Sequence, residues 1–120
     1  MTQTGPSHAP AWFDISTPDA PRARRFYQDM FAWPVSVLDE TYALVGSDGS
    51  QPTGGIGQAG PDSPYTGIVV YFQVDNVDTA LVRAEQLGGS RTLEPQSVPG
   101  RRRMAVFTDP DGNPVGLLSP

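Results

Sequence analysis

Four short stretches carry residues that could do chemistry: Trp12-Phe13-Asp14-Ile15-Ser16, Gly55-Ile56-Gly57-Gln58-Ala59-Gly60, Arg101-Arg102-Arg103 and Asp109-Pro110-Asp111-Gly112-Asn113. Asp14 is the sharpest of them. A carboxylate beside Trp12 on a partly apolar face has its pKa raised by desolvation, which would poise it as a general base. The acidic turn at Asp109 suggests a cation loop, but a calcium loop needs Gly at its sixth position and this chain has Pro114 there. It reads instead as a hairpin turn, in which Pro sets φ, Gly permits positive φ, and Asp and Asn bond their own backbone. The glycine run matches the dinucleotide fingerprint in form, but Pro61 and Pro64 follow it where a helix must open. It is expected to be a strand edge lying close to a ligand or another backbone. The arginine triplet reads as a solvated loop, with Arg103 placed best to clamp an anionic ligand group.

Several chemistries are excluded by what the chain lacks. It has no cysteine, so thiolate catalysis, disulfides and zinc–sulfur sites are out. All eight basic residues are arginine, so no lysine can form a Schiff base. The single histidine, His8, stands in a Pro-rich N-terminal stretch read as a mobile, solvated tail, which leaves serine without an activating base. A net charge of −5 argues against a nucleic-acid partner. No apolar run is long enough for a membrane span, and the N-terminus lacks signal-peptide features, so the expected setting is a bacterial cytoplasm.

The elements that must position these residues come in two matching sets. Ala11–Ser16 alternates as a strand, with Phe13 and Ile15 on one face and Trp12, Asp14 and Ser16 on the other. Asp19 offers an N-cap, Pro21 suits the first turn, and Ala23, Phe26, Tyr27 and Met30 have helical spacing. Strand-like runs follow at 35–38, 42–45 and 53–58, the last reached through a turn at Asp48-Gly49. The plan then repeats. A strand over 68–74 puts Val70, Phe72 and Val74 opposite Val69, Tyr71 and Gln73, and Asn76 caps a helix over 77–87 stopped by Gly88-Gly89. Strands follow near 90–93, 103–107 and 114–118, with about six extra residues in the second copy around 98–102. The reading is one domain: a flexible tail to residue 9, module one over about 10–58, a linker at 59–66 and module two over 67–119.

A βαβββ unit made twice resembles the vicinal oxygen chelate superfamily of glyoxalases, bleomycin-resistance proteins and extradiol dioxygenases. The resemblance rests on Asp19 with the run to Phe26-Tyr27, Phe31-Ala32-Trp33, Val74-Asp75-Asn76-Val77-Asp78, Leu87-Gly88-Gly89 and Val106–Asn113, and it covers about residues 10–119. It implies an α+β fold whose two modules form a curled mixed sheet, a cup, often completed by a second chain. It also implies metal-ligand positions on the first and last strands of each module. In this sequence those positions hold Trp12, Val69, Gly116 and the stretch Thr53–Gly55, none of which offers an imidazole or carboxylate.

The expectation is therefore a homodimer that binds a partly aromatic small molecule with neither metal nor cofactor. Trp12, Asp14, Ser16, Val69, Tyr71, Gln73 and Arg103 would line the ligand, with Trp12 and Tyr71 as stacking surface. The alternative is a metal-free enzyme of secondary metabolism with Asp14 as general base and Arg103 or Tyr71 stabilising negative charge. A metal-dependent glyoxalase-like lyase or dioxygenase follows only from a different strand register.

Overall fold

The computed structural model describes residues 8–46, 51–98 and 102–120; Asp48, Gly49 and Arg101 lie outside them. Module one contains β1 (Pro10–Thr17), α1 (Ala20–Phe31), β2 (Val35–Asp39), β3 (Tyr42–Val45) and β4 (Gly54–Gln58). Module two repeats the order with β5 (Gly67–Gln73), α2 (Val77–Gln86), β6 (Ser90–Val98), β7 (Arg102–Thr108) and β8 (Pro114–Leu118). The chain forms two compact units, one of Trp12–Val69 and the other of Val70–Pro120 with residues 8–11. The expected linker thus belongs with module one. The end of the expected tail is fixed to module two, where the Ala9 carbonyl accepts from the Gln73 N–H at 3.0 Å.

Within module one the strand order is β2-β3-β4-β1. β1 and β4 are parallel, while β4–β3 and β3–β2 are antiparallel. Module two follows the same rule, with β5 and β8 parallel and β8, β7 and β6 antiparallel. The glycine-rich β4, expected as a strand edge passing close to a ligand or another backbone, is an interior strand flanked by β1 and β3, and what lies close to Gly54 and Gly55 is the Phe13 and Tyr42 rings. β6 runs five residues beyond its expected end at Leu93 because its pairing with β7 resumes after a register shift across Pro95, as Gln96↔Met104 to Val98↔Arg102.

Both helices start where their caps dictate. Asp19 Oδ1 accepts from the Arg22 N–H at 3.1 Å, and Asn76 Oδ1 accepts from the Thr79 N–H at 2.9 Å. α1 is held further by Gln58, whose Oε1 accepts from the Ala20 N–H at 3.0 Å while its Nε2 donates to the Pro18 carbonyl at 2.6 Å. The end of β4 thereby fixes the start of the helix that packs on it.

Under α1, Ile15, Val45 and Ile56 form a buried cluster, with Phe13, Ala23, Tyr27, Trp33 and Val35 packed around it. Under α2 the cluster is Val74, Val77, Leu81, Ala105 and Leu117. Phe13 and Ile15, and Val74 in module two, face their helices as the alternation predicts. Counted from the N-caps, the fully buried Leu81 corresponds to Arg24 in module one. Arg24 Nη1 is buried and has no hydrogen-bond partner. An unsatisfied buried donor costs about 1–3 kcal/mol. Arg24→Leu is therefore expected to stabilise the protein by about 1 kcal/mol or more, read from the urea midpoint at constant m. A loss of stability would show that this guanidinium is satisfied after all.

Candidate functional site

The polar centre of module one is Asp14, in the middle of β1 on the face opposite Phe13 and Ile15. Tyr42, the first residue of β3, donates its hydroxyl to Asp14 Oδ1 at 3.0 Å. Tyr65, from the segment after β4, donates to Oδ2 at 2.7 Å. Both carboxylate oxygens are thus engaged by phenols, and Asp14 is half-buried between them. Burial pushes its carboxyl above the ordinary value of 3.8, and the hydrogen bonds from Tyr65 and Tyr42 offset part of that rise. Tyr42 can reach Asp14 because residue 55 is glycine. Gly55 pairs with Asp14 across the parallel β1–β4 ladder, and any Cβ there would strike the Tyr42 hydroxyl.

Module two builds the same layout from different residues. Tyr71 takes the place of Asp14, pairing across the parallel ladder with Gly116, and a Cβ on Gly116 would run into the Tyr71 ring. Tyr71 is 4% exposed and Val69 1%. These two were expected to offer ligand surface. Instead, Val69 is core and the Tyr71 ring is spent on covering a glycine.

The remaining expected site residues divide as follows. Trp12 and Ser16 share the Asp14 face of β1, and both are half-buried. Gln73 is half-buried at the end of β5. Arg103 is not a free clamp. Its Nε and Nη2 donate to both oxygens of Asp78 on α2 at 2.7 and 2.9 Å, a bidentate pair that ties β7 to the helix. That pair holds the Asp78 carboxyl below its ordinary range. The turn at Asp109 is a hairpin as expected. Its Oδ1 accepts from the Asp111 and Asn113 N–H groups at 2.9 Å each, and Asn113 Nδ2 donates to Oδ2 at 2.9 Å. These bonds hold the Asp109 carboxyl below its ordinary range.

Sequence reasoning missed Tyr42 and Tyr65. Tyr42 was counted only as a strand residue and Tyr65 only as linker. They meet Asp14 from 28 and 51 residues away, and no local pattern announces such contacts. The one available signal was Gly55, a side-chain-free position facing the strand that carries the acid.

A duplicated βαβββ chain with this strand order defines the class, and comparison with known proteins supplies the family. The chain belongs to the glyoxalase-like domain family, whose model matches residues 11–118. It is 35% identical to the anthracycline biosynthesis protein DnrV of Streptomyces peucetius and 34% to DauV of Streptomyces sp. strain C5, over 93% of its length in each case. It spans only 46% of each of those relatives. The fold is shared with an Mn(II)-bound glyoxalase from Novosphingobium aromaticivorans (TM-score 0.68, 20% identity, 93% of this chain and 38% of that one). It is also shared with methylmalonyl-CoA epimerase from Mycobacterium tuberculosis (TM-score 0.65, 18% identity, 100% of this chain and 93% of that one).

A divalent cation does not fit the positions that the family resemblance assigns to it. Trp12 and Val69 offer no donor atom, and a carboxylate side chain at Gly55 or Gly116 would need space held by the Tyr42 or Tyr71 ring. Among the described residues, no cluster of three His, Cys, Asp or Glu side chains stands elsewhere as a substitute.

Two predictions follow from this geometry. Gly116→Ala is expected to destabilise the protein by about 1–3 kcal/mol, and Tyr71→Ala in the same chain should return part of the loss. Additive unfolding free energies in the double mutant would show that ring and glycine are independent. The second concerns pH. The folded Asp14 carboxyl binds its proton more readily than the unfolded one, so its contribution favours folding most below 3.8. That contribution is lost as pH rises through the higher, folded value. The stability of Asp14→Asn relative to wild type should therefore rise as pH is raised above 3.8 in urea titrations, and a flat difference would contradict the raised pKa.

Proposed function

We propose that this chain serves secondary metabolism by binding a hydroxylated, partly aromatic small molecule on the Asp14 face of module one, without a divalent cation. One observation carries the reading: a desolvated carboxylate held by two phenols beside Trp12, on a strand whose other face is core. Such a carboxylate accepts strongly from a hydroxyl, and an indole provides stacking surface. Ser16 on the same face is a further polar contact. The relatives named for anthracycline biosynthesis support an aromatic polycycle as the ligand class. Neither helix-side groove is lined by Asp14 or Trp12, although Ser16 also borders the groove of module one.

Self-association into a homodimer belongs to the same proposal. It is supported by apolar side chains left in solvent on module one: Phe26, Met30 and Phe31 on α1, and Val37 and Leu38 on β2. Native mass spectrometry would read it directly, and a monomer at micromolar concentration would remove this part of the reading.

Ligand binding is tested by calorimetric titration with a dihydroxyanthraquinone, in EDTA and again with added Mn2+. Binding should be unchanged by EDTA, and Asp14→Asn or Tyr65→Phe should weaken it by roughly tenfold, the scale of a hydrogen bond to a charged group. Binding that appears only with Mn2+ would sink the metal-independent reading.

The raised Asp14 pKa favours a second reading, in which Asp14 removes a proton from carbon next to a carbonyl. Wild-type protein would then speed deuterium uptake into 2-tetralone, and Asp14→Asn would not. Equal uptake with and without protein would leave binding alone.

A further inference from the structure

Each module has a groove between its helix and the strands beneath. In module one it encloses about 460 Å3 and is walled by Ile15, Ala23, Phe26 and Tyr27, among others. In module two the open groove offers about 610 Å3 and extends past Ala84 to Leu87, Phe107 and Val115. Side chains account for the difference. Counted from the N-caps, Tyr27 corresponds to Ala84 and Phe13 to Val70. Beyond the helices, module one has Phe31-Ala32-Trp33 where module two has Gly88-Gly89-Ser90. The rings of module one pack together under and beyond α1, with centroids 5.3 Å apart for Phe13–Trp33, 5.4 Å for Tyr27–Trp33 and 5.1 Å for Phe31–Trp33. Module two keeps the walls and has no ring at those positions; its own rings on the groove are Phe72 and Phe107.

We propose that the groove of module two is a binding site for a planar aromatic acid of one or two rings, which supplies from solution the aromatic filling that module one builds from its own chain. The floor suits such a body: Phe72, Val74, Phe107 and Leu117 line it, and its volume lies within the range of small-molecule sites. The charge of the ligand is set by Arg83, which lines the groove where module one has Phe26. Arg91 is held by Glu85 and Glu94, and Arg103 by Asp78. Arg83 has no acidic partner among the described residues, only a long bond to Gln86 Oε1 at 3.4 Å. Two acids also line the groove. Asp109 is spent on its own turn, and Asp75 stands at the N-terminal end of α2, away from the last turn where Arg83 lies. A ligand carboxylate can therefore pair with Arg83 while its ring lies on Phe72 and Phe107.

The test is a titration of 15N-labelled protein with indole-3-acetate and with 3-methylindole, followed by amide shifts. Saturable shifts are expected at Val74, Ala84, Leu87 and Phe107, with the acid binding about fivefold tighter than the neutral ring, the scale of an exposed ion pair. Arg83→Gln should abolish that preference. Ala84→Tyr, which imports the ring of module one, should weaken both ligands at least tenfold, while Asp14→Asn should change neither. Absence of saturable shifts at these amides, or shifts unaltered in Ala84→Tyr, would overturn the proposal. Should Ala84→Tyr fold poorly, an acid preference that survives Arg83→Gln would overturn it equally.

Discussion

In each module an aromatic ring lies on a bare glycine of the last strand, and the character of each sheet face follows from that. Gly55 lets Tyr42 lie flat and aim its hydroxyl at Asp14, while Gly116 lets Tyr71 settle into the sheet. A side chain at either glycine would lift the ring. In module one that would cost Asp14 one of its two donors. In module two it would open the covered strand. The parallel pairing of first and last strand makes the arrangement possible, because it sets Asp14 opposite Gly55 and Tyr71 opposite Gly116. These glycines stand where metal-using members of the family are expected to carry a carboxylate, so filling with tyrosine and binding a metal are competing uses of the same space.

The two modules have diverged in complementary ways. Module one carries the titratable centre and a crowded aromatic cluster, and it tolerates an arginine where module two has a buried leucine. Module two carries the regular aliphatic core and the open groove. Duplication relaxes the demand that both copies do both jobs: one can specialise in polar chemistry while the other supplies stability and room.

Much of the fold was legible from local pattern. The alternation in β1 and the caps at Asp19 and Asn76 fix which face meets the helix and where each helix starts, since these signals depend on neighbours in sequence. β6 runs past its expected end at Leu93 because a register shift lets the strand continue across Pro95, which no local pattern announces. The candidate site was legible only at Asp14. Its donors, Tyr42 and Tyr65, come from distant segments, and Tyr65 comes from a stretch whose Pro, Ser and Asp content reads as linker. The pairing of Arg103 with Asp78 is illegible in the sequence for a related reason. A cation beside a strand looks available until the helix above it is placed, and the helix brings Asp78.

The terminal strands β2 and β6 are protected unequally. β6 interrupts its ladder at Pro95 and carries Arg91 and Glu94 locked in ion pairs, features that discourage another chain from adding to it. β2 has neither proline nor basic residue, and it leaves Val37 and Leu38 in solvent. β2 is therefore the margin at which pairing with a strand of another chain is least opposed.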